Sequence, residues 1–365
     1  MRHLLIFLCF AVLSACAPRA ELILFDDPVV GTMIEPVFVG TTRAYVQGQF
    51  TDARVEQMNF ARLDVSIPPD RNPGEIEFSA SNPDPSQHFL FTSVENFEGA
   101  AGFRDGLSEI LAQRPRGSRE VLVFVHGYNN TFAESVFRTA QIRSDFNVPG
   151  VAVNYAWPSA GHPLGYVYDR DSILFARDGL ERLLDQVFQA GADNVVLVAH
   201  SMGGQLLMEA LRSIAIGPDS NRLDRLGGVI LMSPDIDIEV FRSQALRINP
   251  LPQPFVIFVS QRDRVLRLSS RISGQNQRLG NIGTIEDVAD LEIALVDITE
   301  FSGGAGDRLG HSTSVTSPAM IQVLSRLTEV DDALQTGSSS RIGLFQGTAL
   351  TVRNLSQVIL SPLPR

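Results

Sequence analysis

Residues 195–216 read V-V-L-V-A-H-S-M-G-G-Q-L-L-M-E-A-L-R-S-I-A-I. Val195 to Ala199 is a continuous, β-prone apolar run, the pattern of a strand buried on both faces of a parallel sheet. From Gln205 to Ile214 the apolar residues recur at helical spacing. The five residues A-H-S-M-G at 199–203 join the two, so the order is strand, tight turn, helix. A serine at such a turn is held clear of the backbone in a strained conformation, and small residues two positions away let the helix pass close to neighbouring strands. Gly203 meets that requirement, while Ala199 stands where glycine is usual and adds only a methyl group. Ser201 is therefore the candidate nucleophile.

The same alternation extends in both directions. Apolar runs at Val121–Val125, Val151–Tyr155, Val229–Met232, Phe255–Val259 and Ile293–Val296 predict further buried strands. Amphipathic stretches lie between them, such as Ser172–Phe188 with its apolar residues three and four apart. The fold class read from this is α/β: a doubly wound, mostly parallel sheet with helices on both faces. Ahead of it, Val37–Thr42, Leu63–Ile67 and Phe89–Val94 read as short strands of a β-rich N-terminal segment. The expected organisation is a signal segment over 1–15, a tether and β-rich extension over 16–96 packed on the catalytic unit, that unit over 97–328, and a poorly patterned tail over 329–365.

A serine hydroxyl is a weak nucleophile at neutral pH and needs a base to take its proton. In strand–turn–helix sites of this kind the partners follow in the order serine, acid, histidine. Of six histidines only His311 follows Ser201, in a glycine-rich loop beyond Ile293–Val296 and ahead of a helix predicted over Val315–Leu327. The best-placed acid is Asp263, just beyond Phe255–Val259; Asp235 and Asp237, one strand earlier, compete with it. The oxyanion formed by attack on an acyl carbon needs fixed donors. Those expected are the backbone N–H groups of Met202, at the start of the helix, and of Tyr128, in the loop H-G-Y-N whose turn Gly127 permits. His126 and His200 sit beside strand ends, where a structural histidine is the commoner outcome, and no zinc-ligand spacing is present. Trp157, Tyr166 and Tyr168, in the segment leaving the strand Val151–Tyr155, are the candidate pocket wall.

At these residues the sequence resembles the α/β-hydrolase superfamily, over about 97–328. V-F-V-H-G-Y-N-N at 123–130, Y-A-W-P-S at 155–159, V-A-H-S-M-G-G at 198–204 and L-G-H-S at 309–312 together look like an esterase/lipase-like bacterial family of largely uncharacterised members. The resemblance implies hydrolysis of a carboxylic ester, in a small molecule or lipid, through an acyl-enzyme and without a cofactor. Activity is then expected to fall as pH drops through the imidazole range near roughly 6.5. Two other readings stay open: an envelope interaction protein on a hydrolase scaffold without turnover, and acyl transfer to an alcohol by the same residues.

Composition narrows the partners. With 44% hydrophobic and 19% charged residues the chain has ample apolar material for a packed core. Its net charge of -11 leaves no electrostatic footprint for nucleic acid. All 30 basic residues are arginine, which removes lysine-based Schiff-base and Ser-Lys chemistry. Both cysteines, Cys9 and Cys16, lie at the start. There Arg2 and His3 precede the apolar run Leu4–Leu13, too short to span a bilayer and of the length of a secretory signal. L-S-A-C at 13–16 resembles the lipobox of bacterial lipoproteins, which implies cleavage before Cys16 and its acylation. The expected location is the periplasmic face of the outer membrane of a Gram-negative bacterium, held there by acyl chains on Cys16.

Overall fold

The computed structural model describes residues 19–25, 31–274, 277–283, 286–304, 307–318 and 321, with the backbone of strands at 342–345, 348–354 and 357–362. The segment read as a signal, Cys16 and all but the start of the helix expected over Val315–Leu327 lie outside the described residues.

Alternation within single strands explains why two layers of helices are needed. In β4 (Glu120–Val125) every residue after the first is buried. Val121, Val123 and Val125 face one core, and Leu122 and Phe124 face another. The first core is filled by α1 (Gly99–Ala112), α3 (Tyr166–Gln189), α4 (Met202–Ile216) and α5 (Ile238–Ile248). Each presents one apolar stripe, as with Phe103, Leu107 and Leu111 at four-residue intervals in α1. On the opposite face α2 (Phe132–Asp145) and α7 (Thr313–Thr316) contribute Ile142 and Val315. Burying a leucine such as Leu107 contributes roughly 1.5–3 kcal/mol, so a helix holding three such residues is fixed by packing rather than propensity.

The sheet runs β5 (Val151–Tyr155), β4, β6 (Asn194–His200), β7 (Leu226–Met232), β8 (Phe255–Val259), β9 (Ala294–Asp297), all parallel. The strand runs read from the sequence fall within these elements except that β9 starts one residue after Ile293, while the helix expected from Val315 instead starts at Thr313 and breaks after Thr316, where Ser317 before Pro318 is extended. The chain is the doubly wound α/β structure expected of it. Parallel strands with short connections send their carboxyl ends, and the loops that leave them, to one edge of the sheet.

The N-terminal strands differ from expectation in length and placement. β1 (Met33–Val46) and β2 (Gln49–Ile67) have 14 and 19 residues and form one hairpin, with β3 (Leu90–Phe97) beside β2. β1 runs parallel to β5, pairing Val37 with Ala152, so the hairpin continues the main sheet. Apolar runs marked only part of each strand; residues such as Arg54 and Glu56 belong to an arm folded past a register shift between Thr41 and Arg43. At the other edge the backbone of β10 (Ile342–Phe345), β11 (Thr348–Asn354) and β12 (Gln357–Pro362) extends the sheet, β12 parallel to β9. Among the described residues no helix is long and apolar enough to cross a membrane.

Candidate active site

Ser201 stands between the last residue of β6 and the first of α4, with φ 53° and ψ -125°. Positive φ is uncommon for a residue with a Cβ and costs on the order of 1–3 kcal/mol, so the surrounding packing must hold it there. Gly203 shows how. A Cβ at this position would lie 2.3 Å from the His126 carbonyl oxygen and 2.6 Å from that of Val125. Gly203→Ala is expected to lower unfolding free energy by about 1–3 kcal/mol, the usual range for overpacking, measured by denaturant titration. An unchanged midpoint would mean that α4 shifts freely and that the turn is not held by close approach. Ala199, by contrast, is wholly buried with its methyl group accommodated.

The loop after β4 lies directly against the serine. A Cβ on Gly127 would come within 2.9 Å of the Ser201 Cβ and 2.8 Å of His200 Nδ1, which explains why glycine occupies that turn. The loop is fastened below by Asn130, whose Nδ2 donates to the carbonyls of Gly127 (3.2 Å) and Tyr128 (2.9 Å). It is fastened sideways by Asp169, at the start of α3, which accepts from Asn129 N (3.2 Å), Ser159 Oγ (2.6 Å) and Ala160 N (2.7 Å). Burial pushes the Asp169 carboxyl above its ordinary value, against the pull of those three bonds and of the Arg43 charge. Arg43 itself is buried and reaches the Asn130 carbonyl at 3.0 Å. Asp169 and Arg43 belong to no motif in the sequence, and their burial is what identifies them.

Asp263 is fully buried at the amino end of α6 (Arg264–Ile272), and its two oxygens do different work. Oδ1 accepts from the Leu266 N–H at 2.9 Å and caps the helix. Oδ2 lies 2.7 Å from His311 Nδ1. The neighbouring Arg262 turns away to Glu300, so the carboxylate is left to the imidazole. The glycine-rich loop that brings His311 here is closed by Asp307, which accepts from His311 N (2.9 Å) and Thr313 Oγ1 (2.8 Å). Burial pushes the His311 imidazole down, but the charge and hydrogen bond of Asp263, aided by Asp235 and Asp307, more than offset this and leave it above its ordinary value.

His311 is tied to the serine through the residue that precedes it. The His200 ring lies 4.7 Å from that of His311, and its Nε2–H donates to the His311 carbonyl at 3.0 Å. No hydrogen bond joins Ser201 Oγ to His311 among the described residues; His311 Nε2 is left without a partner, and Ser201 is 2% exposed. Such contacts are often long before substrate binds. Burial, followed by the nearby His311 charge, pulls His200 down to about 3. Burial and the Arg43 charge do the same to His126. Both rings are neutral near pH 7 and hydrogen-bonded to backbone, consistent with structural roles.

The competing acids are occupied elsewhere. Asp237 caps α5 through the N–H groups of Glu239 (2.9 Å) and Val240 (3.2 Å). Asp235 is buried against Arg278 (3.2 Å) and accepts from Ser269 Oγ (2.6 Å) and Tyr166 Oη (3.1 Å). Two of the three expected pocket residues require correction. Trp157 is fully buried, stacked 4.8 Å from the His126 ring with Nε1 donating to the His126 carbonyl at 2.7 Å, so it supports the site from beneath. Tyr168 points to the hairpin arm, its hydroxyl on the Asp52 carbonyl and its ring under Arg54 at 4.2 Å. Tyr166, in edge contact with Tyr128 at 5.6 Å, stays at the site. Of the expected oxyanion donors, Met202 follows Ser201 as the first residue of α4, and Tyr128 follows Gly127 in the loop that packs against Ser201. Among the described residues no group of three or more His, Cys, Asp or Glu side chains is placed to hold a metal ion.

Comparison with known proteins identifies the family. A family model described as "Alpha/beta hydrolase of unknown function (DUF900)" matches residues 102–327. No curated protein matches the chain in sequence. Among solved structures, a putative hydrolase from Agrobacterium vitis S4 is 11% identical with a TM-score of 0.38, over 82% of this chain and 98% of its own. Dienelactone hydrolase from Anabaena variabilis ATCC 29413 is also 11% identical, with a TM-score of 0.37 over 74% of this chain and 90% of its own. Esterase B from Lactobacillus rhamnosis is 17% identical with a TM-score of 0.36, over 74% of this chain and 88% of its own.

Proposed function

Since the chain belongs to the DUF900 family of α/β hydrolases, we propose that it is a serine ester hydrolase held at the cell envelope through acylated Cys16. Ser201 Oγ attacks the ester carbonyl carbon as His311 Nε2 takes its proton, while Asp263 holds Nδ1–H and stabilises the imidazolium. The tetrahedral oxyanion is met by the N–H groups of Met202 and Tyr128. Its collapse releases the alcohol, protonated by His311, and leaves Ser201 acylated. Water, deprotonated by His311, then frees the acid. The observation that carries the reading is the 2.7 Å bond between the buried Asp263 carboxylate and His311 Nδ1, because it leaves Nε2 free to act as the base.

Stoichiometric labelling by a fluorophosphonate probe tests the assignment. Only the neutral imidazole acts as base, so labelling rate and kcat/KM are expected to fall as pH is lowered through the His311 value. Asp263 raises that value, so the half-point should lie above the 6.5 of an unperturbed histidine. A rate independent of pH across that range would remove His311 from the reaction. The nearly inaccessible serine and its missing bond to His311 favour a second reading, a scaffold without turnover. Folded protein that takes up no probe above that half-point would leave only this one.

A further inference from the structure

The N-terminal segment is fastened to the site it precedes. Arg19 uses all five of its guanidinium N–H groups there: Nε and Nη2 donate to Glu134 at 2.7 and 2.5 Å, Nη1 to Asn129 Oδ1 at 2.8 Å and Gly161 O at 2.7 Å, and Nη2 to Asn129 O at 2.7 Å. Asn129 belongs to the loop that presses Gly127 against Ser201, and Gly161 to the loop that leaves β5. Ala20 continues the attachment, its carbonyl accepting from Thr131 Oγ1 at 2.9 Å. Cys16 precedes Arg19 by three residues, which even fully extended reach only about 10 Å. Acyl chains on Cys16 would therefore enter a bilayer within about 10 Å of the loops around the nucleophile. Those loops carry apolar side chains turned to solvent. Leu164 is 87% exposed and Val167 70%, both just beyond Gly161, and Leu309, two residues before His311, is 51% exposed. Single exposed apolar residues are ordinary on a protein surface. Leu164 and Leu309 lie in loops that leave the carboxyl ends of parallel strands, and Val167 in the first turn of α3, at the rim to which Arg19 is fastened.

We propose that Arg19 fixes the anchored chain with its active-site rim against the bilayer, Leu164 and Val167 entering the lipid interface, so that the ester it cleaves comes from that lipid layer. The substrate half of this inference rests on the hydrolase reading; the orientation half does not. The test uses the full acylated chain in phosphatidylcholine vesicles, with a nitroxide on Leu164→Cys. The native cysteines are Cys9, within the segment read as the signal, and Cys16. Spin-label accessibility is expected to favour oxygen over a polar nickel complex at that position. At Ser118→Cys, ahead of β4 at the opposite edge, the reverse is expected. Adding Arg19→Ala should move the first label into water while the protein stays vesicle-bound. A water-exposed label at 164 on vesicle-bound protein with Arg19 intact, or no vesicle association of the full chain, would overturn the orientation. With esters, Leu164→Asp combined with Val167→Asp should lower the ratio of rates on a vesicle-borne long-chain ester to dissolved p-nitrophenyl acetate about tenfold. An unchanged ratio overturns the lipid-ester substrate. No hydrolysis of either ester by the unmodified chain would sink the hydrolase reading and that substrate together, and the nitroxide readings would still decide orientation.

Discussion

Replacing Ser201 with alanine is expected to abolish fluorophosphonate labelling and to lower kcat on a short-chain ester by about 10⁶-fold, the scale on which serine nucleophiles act. The size follows from the chemistry. Without Oγ there is no acyl-enzyme, and what remains is whatever the oxyanion donors and binding provide to direct attack by water. The substitution is clean because alanine at φ 53° has the same backbone strain as serine and a smaller side chain. Thermal stability should therefore be unchanged or slightly raised. A variant that retains activity within tenfold of the parent would place the nucleophile elsewhere.

Asp263→Asn is expected to lower kcat by about 10⁴-fold with little loss of folding. The two carboxylate oxygens make this separation measurable. Asparagine caps helices as well as aspartate does, so the bond to Leu266 N survives. The bond to His311 Nδ1 does not survive as a charged one: the amide either offers a carbonyl without negative charge or turns its NH₂ to the ring and selects the wrong tautomer. The His311 value should fall as its largest raising partner disappears, moving the half-point of any residual activity to lower pH. Asp235→Asn supplies the contrast. It leaves Arg278 buried without its counter-ion, so it should cost stability, on the order of 3–5 kcal/mol, rather than the chemistry itself. If the two variants exchanged these signatures, the acid would be Asp235.

The parts of the site that sequence made legible are those fixed by local chain geometry. Val195–Ala199 has nowhere to be but the middle of a parallel sheet, and Gly203 two residues past Ser201 can be read as close approach, which the 2.3 Å distance to the His126 carbonyl expresses. Asp263 and His311 followed from strand order, since each loop leaves the same edge of the sheet. Side-chain direction was not legible. Trp157 and Tyr168 sit in the right segment, yet one turns into the core and the other towards Arg54, because tertiary neighbours, and no local pattern, choose the rotamer. Long-range polar partners were equally silent. Arg19 meets Glu134 across 115 positions and Asp169 meets Asn129 across 40, separations at which a single sequence holds no periodic signal. The hairpin of β1 and β2 was seen only in part for the related reason that hydrophobicity reports burial and not strand length.

The burial of Trp157 has a practical corollary. It is the one tryptophan in the chain, sealed from solvent and stacked within 6° of parallel on His126, an imidazole that burial keeps uncharged down to about pH 3. The molecule thus carries its own optical gauge. Ultraviolet light selects a single indole lodged beneath the loop that frames the serine, so the colour and lifetime of its emission follow that loop, with no dye attached and no second emitter of the same kind to disentangle.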